Sequence, residues 1–449
     1  MKQVQWSNWS GSVRSNPRTV LYPTSIAEVE KVVRMCRQEG RRLRVIGSGH
    51  SFTPIAASED CLISLDRMQG LVHVDAEART ATVWAGTKLK LLGELLFRQG
   101  LAQENLGDID VQSIAGAIST GTHGTGRAYG NISTQVVGLT VVTGTGEVLE
   151  CSGESHPDWF KALQVSLGTL GIIVQVTLRL EPAYKIEYES RRIPLGECLK
   201  QQAQLAEENR HFEFYWFPYA EPCQIKLMNK TDQEVKEHRI KDYISDVLVE
   251  NTLFGLISEL CRKVPKASPY VSRLSASQVP LGRKVNYSHR LFATRRLVRF
   301  NEMEYNIPAE SMNAVIEEMR EELSRNKYHV HFPVECRYAK GDDIWLSPAY
   351  GRDSAYIAIH MYKGMQHEDY FSAMERIFLR YGGRPHWGKM HHLEAAQLRE
   401  LYPMWEAFRT VRQELDPDGI LLSDYMGRLL DVSGPSPVRS VILDRIHNI

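Results

Sequence analysis

Apolar and polar positions follow two different textures along this chain, and the change between them divides it. In the first part, helical spacings alternate with short apolar runs. Val29, Val32, Val33 and Cys36 fall at helical spacing after Ser25 and Glu28, which form a capping box, and Gly40 ends the helix. The run 43–46 reads as a strand, as do 62–65, 71–74 and 80–84. Thr87 opens a second helix with Leu89, Leu92 and Leu96 on one side, stopped by Gly100. Residues 135–143 turn at Gly144-Thr145-Gly146 into 147–150 as a hairpin. A helix at 158–167 precedes a strand at 171–180, and Pro182 marks a domain boundary. From about Tyr184 aromatic strand-like runs appear, 212–219 and 298–305, around a polar stretch from 229 to 288 without a chemical signal. Within it, 253–260 is apolar, too short for a membrane span, and predicts a core helix. Pro308 opens a helix whose Met312, Val315, Ile316, Met319 and Leu323 form a core-facing stripe.

The strand predicted over 330–338 is the informative one. Val330, Phe332, Val334, Cys336 and Tyr338 share one face, and His331, Pro333, Glu335 and Arg337 share the other. The run 355–362 repeats the pattern, with Tyr356, Ala358, His360 and Tyr362 opposite its apolar positions. If the two strands are neighbours, a Glu–Arg pair, a histidine and tyrosines share one polar surface. The alternative is a solvated outer face with an ion pair worth under about 1 kcal/mol.

Bulk properties narrow the class. A chain of 449 residues accommodates two domains, each with its own core. The 54 basic and 54 acidic residues balance, so no global field favours nucleic acid or an anionic membrane. Seven scattered cysteines without metal-type spacing point to a reducing compartment. The N-terminal stretch has no apolar signal region and no run is long enough to span a bilayer, so a cytoplasmic protein without membrane insertion is expected. His391 and His392 are adjacent and face different directions, so no metal site with His386 is expected. Oligomeric state leaves no signal.

Candidate chemistry begins at Ile46-Gly47-Ser48-Gly49-His50-Ser51-Phe52, directly after a strand. Small residues leave backbone N–H groups bare, a concavity suited to phosphate, with a histidine set in it. A second small-residue stretch runs from Ser113 through Gly116, Ser119, Thr120, Gly121, His123 and Gly124 to Gly126. Neither matches the common nucleotide fingerprints, yet two such loops in one half suggest a long diphosphate cofactor threaded between them.

These two stretches, with Arg384-Pro385-His386-Trp387-Gly388-Lys389, resemble the FAD flavoproteins of the vanillyl-alcohol-oxidase type, and within them the aldonolactone oxidases. The alditol oxidases are a sister group. The resemblance runs from about Trp9 to about Leu430. It implies an α+β protein: a VAO/PCMH-type FAD-binding domain over 1–182 and an α+β cap with an antiparallel sheet over 183–391. A C-terminal segment, 392–432, returns to the FAD domain, and 433–449 is a tail.

The resemblance also implies roles. Ile46, Gly47, Ser48, Gly49, Ser51, Ser113, Gly116, Ser119, Thr120, Gly121, His123, Gly124, Ile173 and Lys389 bind FAD, and His50 carries it covalently. Glu335 and Arg337 match the substrate-facing Glu-x-Arg, Lys389 matches the lysine ending the C-terminal motif, and His360 is a substrate contact beside Tyr362. The implied reaction removes hydride from C2 of an aldono-1,4-lactone to flavin N5, with molecular oxygen reduced to hydrogen peroxide. Gly107 falls where relatives place a small residue beside the flavin edge, which favours oxygen as acceptor. Asp108 stands where alditol oxidases have serine, and the spacing from Arg352 to His360 fits lactone oxidases better, whereas H-W-G-K is closer to the alditol group. The alternatives are an alditol oxidase and, in another class, a flavin- or sugar-binding protein without turnover.

Overall fold

The computed structural model describes residues 5–235, 251–293 and 297–432; the expected tail, 433–449, lies outside them. The first sheet is parallel: Thr19–Leu21 and Leu43–Ile46 flank Cys61–Ser64. The helix Ile26–Gln38 makes the crossover and buries Val29, Val33 and Cys36. A second, antiparallel sheet runs in the order Val148–Ser152, Val136–Val142, Ile172–Arg179, Thr80–Trp84, Leu71–Asp75. The alternation of strand and helix thus builds two small sheets that meet at the loops after Ile46 and before Ile114.

The later part is one antiparallel sheet. Its order is Gly282–Tyr287, Lys185–Pro194, Pro222–Lys230, His211–Trp216, Val334–Ala339, Ser354–Tyr362, Phe300–Pro308, Arg384–Pro385. Helices Leu195–Glu208, Met312–Asn326 and Glu368–Arg380 cover one face, and the stripe Met312, Val315, Ile316, Met319 and Leu323 is fully buried there. Helices Ala395–Leu401, Trp405–Leu415 and Asp424–Leu429 then return to the first sheets. Leu43 N–H donates to Ile420 O at 2.8 Å, and Gly144 N–H donates to Leu415 O at 2.8 Å. Buried Arg44 ties this junction, donating to the carbonyls of Ile55, Leu167, Gly168 and Leu421.

Several local expectations need correction. Ser25 Oγ accepts from Glu28 N–H, but the Glu28 carboxylate accepts from Thr24 instead of closing a reciprocal box. The second helix begins at Leu89, because the Thr87 hydroxyl is committed to Trp84 O and Gly70. Pro308 ends a strand, and a 3-10 turn separates it from the helix that starts at Met312. The apolar run 253–260 is helical, within Asn251–Lys263, but it is not a core helix: Leu253, Leu256 and Leu260 are exposed. Its small residues, Ser258 and Cys261, take the buried side instead. The polar stretch around it also holds the helix Ser268–Gln278 and the edge strand Gly282–Tyr287.

Arg44→Met would leave four inward carbonyls without their donor. It is expected to lower stability by about 3 kcal/mol, read as a drop in the urea midpoint. An unchanged midpoint would contradict the role of Arg44 as the tie between the two chain ends.

Candidate active site

The His50 loop follows from its flanks. The strand Leu43–Ile46 ends at Gly47, where an added Cβ would lie 2.5 Å from Ser113 Oγ, so only glycine lets the two small-residue stretches touch. Gly49 has φ +69°, a left-handed conformation that glycine adopts without strain. The loop 46–51 lines a cleft together with Ser113, Gly116, Ser119, Thr120 and Ile173. Lys88 Nζ donates to Ser48 Oγ at 3.0 Å and brings a cation to this wall. The bare amides and the glycine-dependent contact together fit an FAD diphosphate and its linker.

Gly107, Gly121, His123, Gly124 and Lys389 do not line the cleft; the contacts of His123 and Lys389 run to the cap sheet. An added Cβ at Gly124 would lie 2.2 Å from Leu106 O, so the 105–107 and 122–124 backbones press together. A Cβ at Gly107 would meet His123 O at 3.2 Å. His50 is half-buried, stacks on Trp9 with centroids 5.4 Å apart, and is pushed down to about 4 by burial and by the Lys389 ammonium. A neutral imidazole has a free lone pair.

Strand register assembles the polar face of the cap. Val334–Ala339 and Ser354–Tyr362 are antiparallel neighbours, with Glu335 opposite Ala358 and Arg337 opposite Tyr356. His211–Trp216 adds Glu213 opposite Arg337 and Tyr215 opposite Glu335. Phe300–Pro308 adds Glu302 opposite His360 and Glu304 opposite Ala358. One cross-strand row therefore reads Tyr215, Glu335, Ala358, Glu304, which sets a small side chain between two carboxylates. The face is not solvated: Glu213, Glu302, Glu304, Glu335, Arg337 and His360 are all buried beneath loops of the first part. Val334, Cys336 and Tyr338 occupy the opposite, core side, as expected.

Two charge clusters share this face. Arg337 Nε donates to Glu213 Oε2 at 2.9 Å, and its outer nitrogen pairs with Asp108, at 3.3 Å, and with Glu335. Tyr215 Oη donates to Glu335 Oε1 at 2.6 Å. Burial opposes the guanidinium charge, but Asp108, Tyr215 and Glu213 hold the group far above its ordinary value. The second cluster centres on Lys389, whose ammonium lies 2.5 Å from Glu302 and 3.9 Å from Glu304. Glu335 thus pairs with Arg337, and Lys389 with Glu302 and Glu304. Burial raises the Glu302 carboxyl, yet Lys389 and His360 outweigh it and bring it down to about 2. Burial likewise raises Glu304, which His123 and Lys389 hold well below the usual range.

The histidines are individually assigned by their partners. His123 Nδ1 faces Gly124 O at 2.8 Å and Nε2 faces Glu304 Oε1 at 3.1 Å. Tyr356 stacks on that ring at 3.6 Å. His360 Nδ1 donates to Pro333 O at 3.0 Å, which leaves Nε2 turned to Glu302 at 3.5 Å. His386 Nδ1 accepts from Gly388 N–H, and burial pushes the ring down to about 3. Ligand atoms of His123, Glu304 and His386 lie within 4.8 Å of one another, with the His123 nitrogens turned to Gly124 O and Glu304 Oε1. His392 pairs with Glu375 and His391 approaches Tyr425, so those two do turn apart.

Sequence reasoning missed Asp108, Glu213, Tyr215, Glu302 and Glu304 as site residues. The signal for the last two was present: Glu302, Glu304 and Asn306 alternate with Met303, Tyr305 and Ile307. Glu213 and Tyr215 show the same period within an aromatic run.

Acid should unfold the protein in a defined window. Burial pushes His50, His211, His331 and His391 down to about 4 and His386 to about 3. Their unfolded value is about 6.5, so below it the unfolded chain binds more protons. Stability is therefore full above about pH 6.5 and falls towards pH 4; Glu302 adds its own loss only between about pH 4.5 and about 2. Thermal midpoints measured across pH 8 to 4 should begin to fall near the upper limit, and a flat profile between pH 7 and 5 would contradict these assignments.

Comparison with known proteins agrees with both halves of this geometry. Residues 17–152 match a family model described as FAD binding domain, and residues 176–429 match one described as D-arabinono-1,4-lactone oxidase. The chain is 40% identical over 425 residues to L-gulono-1,4-lactone dehydrogenase of Mycobacterium tuberculosis, covering 95% of this chain and 99% of that protein. It is 33% identical over 435 residues to L-gulonolactone oxidase of Mus musculus, covering 95% and 98%. Among solved structures, cholesterol oxidase from B. sterolicum shares the fold, with a TM-score of 0.80, 18% identity and coverage of 95% and 97%. The two matches lie in the two halves of the chain, and the chain is a member of the D-arabinono-1,4-lactone oxidase family of FAD-linked oxidoreductases.

Proposed function

We propose that the protein oxidises the hydroxyl-bearing C2 of an aldono-1,4-lactone and uses molecular oxygen as the electron acceptor, giving hydrogen peroxide. The observation that carries this reading is the buried cross-strand row at Ala358, flanked by Glu335 with Arg337 on one side and by Glu304 with Lys389 on the other. FAD held between the two loops supplies the hydride acceptor for the C2 hydrogen. Glu335 accepts hydrogen bonds from substrate hydroxyls while Tyr215 and Arg337 fix its orientation. Arg337 donates to the ring or carbonyl oxygen of the lactone. The C2 hydroxyl proton is accepted by the His360–Glu302 pair, whose nearest atoms lie 3.5 Å apart. Lys389 keeps a positive charge where negative charge accumulates.

The relatives carry both names, oxidase and dehydrogenase, so the acceptor rests on Gly107. A side chain there presses on the His123 backbone, so alanine, and not valine, is the informative replacement. His50, whose basicity burial and the Lys389 charge lower, is the residue that would carry the flavin covalently.

Three outcomes test these assignments. Peroxide release should be highest with aldono-1,4-lactones when these are screened beside alditols and free aldoses; a preference for alditols would move the substrate to that class. Glu335→Gln should lower kcat/KM by about 100-fold or more while the bound flavin spectrum is kept, and a loss below about threefold would remove Glu335 from the site. Flavin fluorescence should stay with the protein band after acid denaturation and be released in His50→Ala; release from the unaltered protein would refute the covalent bond.

A further inference from the structure

Two helices of the cap are built inside out. In Asn251–Lys263 the buried positions are Ser258 and Cys261, whereas Leu253, Leu256 and Leu260 form a stripe about half a turn away. In Ser268–Gln278 the buried positions are Ser268, Ser272 and Ala276, and Tyr270 and Leu274 point outward. Val264, between the helices, is 49% exposed and Tyr270 is 72% exposed, the limits of this set. An ordinary surface helix turns its apolar stripe to the core. Here the stripe is turned away in both.

The two outward faces look the same way. Ser258 Oγ hydrogen-bonds His331 Nε2 at 2.9 Å, and Ser272 Oγ donates to Pro218 O. His331 and Pro218 lie just beyond the paired ends of neighbouring strands, where Trp216 faces Val334. Both helices are therefore seated on one end of the cap sheet and present their far sides together. Phe254 anchors the first helix against Phe332, with centroids 4.9 Å apart.

Charge is also segregated there. Over 251–281 the basic residues Arg262, Lys263, Lys266 and Arg273 stand against one acidic residue, Glu259, in a chain whose total charge is zero. Lys263 and Lys266 are exposed beside Val264. An apolar stripe bordered by cations is complementary to an anionic lipid surface, where leucines enter the acyl boundary and cations meet headgroups. A second copy fits less well, since apposing the faces would bring two basic sets together. No helix of the described residues is long and apolar enough to cross a membrane, so the contact is peripheral.

We propose that the helix pair 251–278 is a docking surface for an anionic phospholipid bilayer. The test uses the intact flavoprotein and floating vesicles, either phosphatidylcholine alone or phosphatidylcholine with one quarter phosphatidylserine. The protein should float with the anionic vesicles and not with the neutral ones, and raised salt should weaken binding. L256S/L274S should lower partitioning about tenfold, and K263E/K266E should abolish the preference for anionic lipid, with flavin content and lactone turnover unchanged in both. Absence of flotation, or flotation insensitive to both double variants, would overturn the proposal. So would a concentration-dependent dimer that L256S/L274S dissolves, which would assign the face to a second copy.

Discussion

The structure turns on one demanding arrangement, the burial of a charged sheet face. Arg337 is surrounded by Asp108, Glu213 and Glu335, and Lys389 by Glu302 and Glu304, all beneath loops from the other half of the chain. Buried ion pairs contribute little to net stability, because desolvation offsets most of their attraction. Removing one partner is costly, so each group holds its neighbours in place. A face of this kind is a poor way to stabilise a sheet and a good way to fix polar groups in one arrangement. The alanine at position 358 sits between the two carboxylates, and strand register sets what surrounds it.

The loops complete the arrangement. His123 reaches Glu304 from the second small-residue stretch, and Asp108 reaches Arg337 from the segment beside Gly107. Phe52 N–H donates to Gly388 O at 2.7 Å, tying the His50 loop to the segment that carries Lys389. The C-terminal helices and Arg44 close the chain back on the strand that leads into His50. The cofactor cleft and the polar face are consequently positioned by the same contacts.

Much of this was legible in the sequence because it rests on short periods. The alternation around Glu335 and Arg337, and its repeat up to His360, predicted one shared polar face, and the register bears that out. The small-residue stretches pointed to the cleft for a steric reason that Gly47 and Ser113 make explicit. What stayed hidden depends on distance along the chain. Glu213, Glu302 and Glu304 matter only because four strands, some far apart in sequence, become neighbours, and Lys389 pairs with Glu302 on one of them. The apolar run 253–260 misled because periodicity shows that a stripe exists and not which side faces the core. Ser258 took the inward side through its bond to His331, a partner more than seventy residues away.

The central claim is that the buried polar face presents a sugar lactone to FAD for oxidation. Its most direct test is the visible absorption of the purified flavoprotein mixed with D-arabinono- or L-gulono-1,4-lactone in the absence of oxygen. The account predicts that the oxidised flavin band bleaches and returns when air is admitted. A band that persists in full with every aldonolactone offered would contradict it.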